Sequence, residues 1–198
     1  MRTPRILLLV SLSLLFAGCA ASTRVVSQKA DRANTSPKRI YVQSFLLDSR
    51  AGANLGPEFA QGFNARLIQV LQQCGAKATV KVVTGLEMDN STFLQDLEVF
   101  KPDAILKVTK VHATVSTYGV LIKSTYALDL YDAASKNAIW RSRADFEPTG
   151  KLYVSYERQA AAMVDKVTDQ MKQDGFFPGC AKMERPTAEP SPSPSDPS

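Results

Sequence analysis

Apolar residues recur along the middle of the chain with two different periods, and the alternation between them predicts its elements. RIYVQSFL, from Arg39 to Leu46, sets Ile40, Val42, Ser44 and Leu46 against Tyr41, Gln43 and Phe45, a β-rich period of two that predicts a strand. DSRAGANLG follows as a loop. Pro57 then opens a helix in which Phe59, Phe63, Leu67, Val70, Leu71 and Cys74 recur every three or four residues, and Gly75 ends it. ATVKVVTG reads as a second strand. A short helix carrying Phe93, Leu94, Leu97 and Phe100 comes next, with Asn90 or Ser91 as its cap and Lys101-Pro102 as its stop.

From Asp103 to Phe146 the period of two dominates, through DAILKVTKVHATVS, VLIKSTYALDLYD and AIWRSRADF, joined by polar turns at Thr117-Tyr118-Gly119 and Ala133 to Asn137. This predicts an antiparallel three-strand meander with one core face. In its first strand the apolar phase shifts at Lys110, from Leu106 and Val108 to Val111, Ala113 and Val115, which predicts a bulge. Ser155 to Gln173 is a final helix with Tyr156, Ala160, Met163, Val164, Val167 and Met171 on one face, ended by Gly175. The expected fold is a single α/β (α+β) domain over residues 38–181. It has a mixed sheet of about five strands and about three helices mainly on one face.

The ends of the chain read differently. Behind Arg2 and Arg5, the apolar run Ile6 to Phe16 is far shorter than the roughly 20 residues a membrane-crossing helix needs. The small residues that follow give the three-part form of a secretory signal, residues 1–18. Residues 19–37 are polar without sustained periodicity and end at Asn34-Thr35-Ser36-Pro37, which predicts a flexible tether with a reach of ~25 Å. At the other end, 182–198 alternates proline with serine, a composition expected to stay disordered.

Charge narrows the partners only slightly. The full chain carries +5, and loss of Arg2 and Arg5 with the signal leaves about +3. That mild excess suits a domain near anionic lipid or wall polymer, and together with secretion it argues against nucleic acid. Cys74 and Cys180 each close a predicted helical phrase, LIQVLQQCG and MKQDGFFPGC, and thiols in an exported protein meet an oxidising compartment. They are expected to form a disulfide, with two buried free thiols as the alternative.

Candidate chemistry is sparse. His112 is the single histidine and lies mid-strand, where a satisfied or solvent-facing role is the expectation. No cysteine or histidine spacing suggests a metal, and no cofactor is expected. RAGANLG matches neither a Walker loop nor a dinucleotide fingerprint. Glu87, Asp89, Asp96, Glu98, Asp129, Asp132 and Asp145 are scattered without a discernible catalytic pair. No enzyme is expected. Lys107, Lys110, Lys123, Arg141 and Arg143 fall in the meander and are the candidate surface for an acidic partner or glycan, set against a plain solvated sheet face.

Two resemblances add to this reading. Leu15-Phe16-Ala17-Gly18-Cys19 resembles the lipobox of bacterial lipoproteins. It implies a diacylglycerol on the Cys19 sulfur and a mature chain beginning there; the alternative is an ordinary signal with an incidental cysteine. Ala20 in place of an aspartate implies the periplasmic face of the outer membrane. In the domain, IYVQSF, LIQVLQQCG, KPDAILKVTKV, YALDLYDAASKNAIWRSRADF and MKQDGF together look like a group of envelope lipoproteins. The group includes the amino-terminal domain of the Tol system's periplasmic protein, curli-secretion lipoproteins and lipoprotein activators of penicillin-binding proteins. Its most specific piece is the turn led by Asp132 followed by Trp140. The resemblance implies a lipid-anchored, non-enzymatic protein that docks on an envelope protein, with cell-wall glycan binding as the alternative.

Overall fold

In the computed structural model, which describes residues 21–31, 33–48, 55–85, 91–118, 120–149 and 154–180, six strands and three helices follow one another. They are β1 (Ser22–Lys29), β2 (Arg39–Phe45), α1 (Gly56–Gln73), β3 (Lys77–Val82), α2 (Ser91–Phe100), β4 (Ala104–Val115), β5 (Leu121–Asp132), β6 (Ala138–Glu147) and α3 (Tyr156–Gln173). The expected signal, Cys19 and the Pro/Ser-rich tail at 182–198 lie outside the described residues.

The strands form one sheet in the order β1-β6-β5-β4-β2-β3. β2 runs parallel to β3 and β4, while β4, β5, β6 and β1 are antiparallel, so the sheet is mixed and the fold α+β. The expected meander is β4-β5-β6. The predicted bulge is also present, as a register shift between Lys110 and His112.

One face of the sheet is packed. Ile40, Val42, Leu106, Val108, Leu128, Leu130, Trp140 and Phe146 bury against Phe59, Phe63, Leu67 and Leu71 of α1 and Met163, Val164, Val167 and Met171 of α3. Phe59 anchors this layer, its ring centroid 5.8 Å from that of Tyr126 and 5.3 Å from that of Phe146. The two long helices approach closely at their amino-terminal ends: a Cβ built on Gly62 would stand 2.7 Å from the Glu157 Cα. At their carboxyl ends Cys74 is bonded to Cys180, with Cα atoms 4.6 Å apart. α1 and α3 therefore run side by side in the same direction, and the cysteines behind them meet as expected.

Helix ends follow local chemistry. Pro57 sits in the first turn of α1, and Gly75 past its end adopts φ +80°, which a side chain would resist. Ser155 caps α3 by accepting the Arg158 N–H.

The largest departure from the sequence reading is β1. Residues read as part of a flexible tether instead form an eight-residue edge strand, paired antiparallel with β6 from Ser22↔Glu147 to Lys29↔Trp140. Its inward side chains are Thr23, Val25 and Ser27. Only Val25 is apolar, so an alternating hydropathy pattern never develops, although the backbone pairing is complete. The sheet thus has six strands rather than about five.

Candidate functional site

The second face of the sheet is where polar chemistry collects, because every strand of the meander sends its non-core residues there. α2 covers only one end of it. Tyr41 reaches through to this side, with its ring 5.8 Å from Phe93 and 6.1 Å from Phe100. Its hydroxyl donates to the Asp96 carboxylate at 3.0 Å, and burial, reinforced by Asp96, raises its pKa well above the ordinary value. Lys81 lies 3.4 Å from the same carboxylate, and the Arg39 guanidinium donates to the Phe100 carbonyl and stacks 5.0 Å over its ring.

Beyond α2 the face is open, and the register arranges its side chains in cross-strand rows. One row runs Gln43, Lys107, Asp129, Arg141, Gln28. Asp129 is flanked by a cation on each side, which is the favourable arrangement for directly opposed residues. The next row runs Phe45, Thr109, Ala127, Arg143, Val26, with Lys107 Nζ lying 5.0 Å from the Phe45 ring centroid. A third runs His112, Thr125, Asp145, Arg24. Asp145 accepts from the Thr125 hydroxyl at 2.8 Å and pairs with Lys123 at 2.8 Å. The Lys123 ammonium, then Thr125, hold its carboxyl below the usual range.

Four of the five predicted cations, Lys107, Lys123, Arg141 and Arg143, therefore share this face. Lys110 does not. It pairs with Tyr126 just before the bulge, on the core side, and is almost fully buried; burial lowers its pKa while Asp48 works in the opposite direction. Sequence reasoning missed Arg24 and Gln28, which extend the cationic rows on β1. A shallow depression of about 330 Å³ lies here, lined by Val26, Gln28, Asp129, Arg141 and Arg143 among others. Among the described residues, no group of three or more metal-ligating side chains converges, and no helix is long and apolar enough to cross a membrane.

Trp140 and Asp132 have structural roles. The Trp140 indole N–H donates to Asp174 Oδ2 at 2.6 Å, and the Ser27 hydroxyl donates to the same oxygen at 2.6 Å. Burial works to raise the Asp174 pKa, but the hydrogen bonds from Ser27, Trp140 and Gln170 and the charge of Lys29 together lower it. One carboxylate just past α3 thus ties together β1, β6 and α3. Asp132 accepts the Ser135 N–H and hydroxyl, both at 2.7 Å, and shapes the turn before β6.

No protein-family model matches the chain, and no curated protein matches it in sequence. Among solved structures the chain is similar to the PelC dodecamer from Paraburkholderia phytofirmans, at 12% identity and TM-score 0.49, over 76% of this chain and 97% of that one. It is also similar to lipoprotein GNA1162 from Neisseria meningitidis, at 16% identity and TM-score 0.41, over 69% of this chain and 99% of that one. At these identities and scores neither likeness transfers function or assembly to this chain.

Proposed function

We propose that this chain is a non-enzymatic bacterial envelope lipoprotein. Cys19 carries an acyl anchor at the periplasmic face of the outer membrane, and the open half of the sheet docks on an envelope protein presenting acidic groups, in assembly or maintenance of the envelope. The observation that carries this reading is the division between the two sheet faces: one is packed by α1 and α3 over its central strands, while the other leaves Arg24, Lys107, Arg141 and Arg143 exposed or half-exposed in ordered rows. Cations preset in rows on a rigid sheet favour recognition of a matching acidic surface and faster encounter with it.

In-cell crosslinking followed by affinity capture tests this. The wild-type chain is expected to recover a discrete envelope protein, and Arg141→Ala with Arg143→Ala to reduce that yield about three- to tenfold, since both side chains are exposed and their charges act mainly on association. Recovery of bulk lipoproteins alone, unchanged by the double substitution, contradicts the reading. The depression beside Gln28, Asp129 and Arg141 favours a second reading, a module for cell-wall glycan. Retention on isolated sacculi that is lost in the same double variant supports the glycan and not the protein partner.

A further inference from the structure

Three features meet at one end of the sheet. The first is the start of β1. Ser22 pairs with Glu147 at the end of β6, and Thr23, Phe146, Ser124 and Ala113 stand in one row across β1, β6, β5 and β4. Cys19 precedes Ser22 by three residues, so its Cα can lie no more than roughly 11 Å of chain from this end of the sheet. A lipid on Cys19 would therefore hold this end, and not a loosely tethered domain, against the bilayer.

The second is a projection. Past the Ser124 row β1 and β6 soon stop, while β4 and β5 continue as a two-stranded ribbon to the turn at 116–120. Two more ladder pairs, Thr114↔Lys123 and Val115↔Leu121, add about 7 Å before the turn. The ribbon stands two to three strands from β1, roughly 10–15 Å to the side, and points the same way as the start of β1.

The third is its surface. Tyr118 is 92% exposed and Val120 64%, and Val115 and Ile122 are also exposed, which makes an apolar tip on an otherwise polar end; Val111, exposed as well, lies farther back along the ribbon. Val111 and Ile122 are the unpaired residues at the two register shifts of the hairpin, so each bulge turns a β-branched side chain outward. Three of the backbone donors at the turn bond within it. The Ser116 N–H donates to the Val120 carbonyl, and the Ser116 hydroxyl accepts the N–H groups of both Tyr118 and Val120. Each such internal bond lowers the cost of moving an apolar turn out of water. An amphipathic tyrosine at the apex is suited to the headgroup boundary.

We infer that the β4–β5 hairpin tip, built from Val115, Tyr118, Val120 and Ile122, is a membrane-interface wedge that seats the domain on the bilayer beside its own lipid anchor. The occupant of this apolar patch is the headgroup and upper acyl region of the membrane. The inference rests on the Cys19 anchor proposed above. Seated this way, the domain has a fixed tilt, and its cationic sheet face stands at a steep angle to the membrane, open to partners from the side.

The test uses the full-length lipoprotein purified from membranes and reconstituted into vesicles of phosphatidylethanolamine and phosphatidylglycerol, with lipid brominated high on the acyl chain. Tyr118→Trp supplies the reporter, since the single native tryptophan, Trp140, is buried in the core. Quenching about threefold stronger than in the wild-type chain is expected, because the reporter would lie within the interfacial layer. Val120→Asp with Ile122→Asp in the same background should return quenching to the wild-type level while flotation with the vesicles persists. A reporter open to aqueous iodide and insensitive to bromine, in protein that floats, overturns the wedge and leaves the anchor standing. Failure of the protein to float overturns both. Iodide shielding that depends on protein concentration in lipid-free detergent assigns the tip to a second copy and likewise overturns the wedge.

Discussion

Asp174 is the residue through which the late part of the fold closes on its beginning. Its carboxylate receives the Trp140 indole and the Ser27 hydroxyl at 2.6 Å each. Asp174→Ala leaves the buried indole N–H without its acceptor, and should cost about 1–3 kcal/mol in urea unfolding. Because the folded pKa is depressed, the stabilisation from the charged form is complete above the unfolded carboxyl value of about 3.9 and is lost as pH falls below it. Asp174→Asn should flatten that acid-side loss, which unfolding midpoints at pH 3 and pH 6 would measure. The aspartate was hard to find in the sequence because it sits after a helix end and its partners lie on two distant strands. The cations were easier: Lys107, Lys123, Arg141 and Arg143 follow the strand period directly. Lys110 broke the set because the bulge that the apolar pattern revealed comes immediately after it, so Lys110 keeps the core-facing phase of Leu106 and Val108.

At the scale of elements, strong periodicity carried the reading and weak periodicity hid an element. α1, α3 and the β4-β5-β6 meander all have apolar faces long enough to predict. β1 has one inward apolar side chain and pairs mainly through its backbone, so its composition resembles a linker. Two contacts hold the helical layer in place, and each makes a prediction. Gly62→Ala adds a Cβ against the Glu157 backbone at 2.7 Å. Alanine favours a helix by up to ~1 kcal/mol over glycine, yet overpacking against backbone costs about 1–3 kcal/mol, so the variant should melt below the wild-type chain by calorimetry. Cys74→Ala with Cys180→Ala opens a connection spanning 106 residues of sequence. In unfolding titrations the loss should be about 2–5 kcal/mol.

The sheet is two-faced. α1 and α3 pack the central strands on one side, and the other side keeps an exposed cationic region with an apolar hairpin tip at its end. Replacing the expected tether by β1 changes the geometry of attachment, because a chain anchored at Cys19 would have only a few residues between lipid and folded strand. The proposed address rests on the sequence alone, on a short apolar run ending in Ala17-Gly18-Cys19; the proposed orientation at the membrane needs the fold, since it depends on which end of the sheet β1 enters. The most direct measurement of the central proposal is the intact mass of the protein extracted from membranes. The expected chain has lost residues 1–18 and carries added acyl mass on Cys19. A mature chain without acyl mass would contradict it, leaving a domain with no anchor and removing the basis for docking at the membrane.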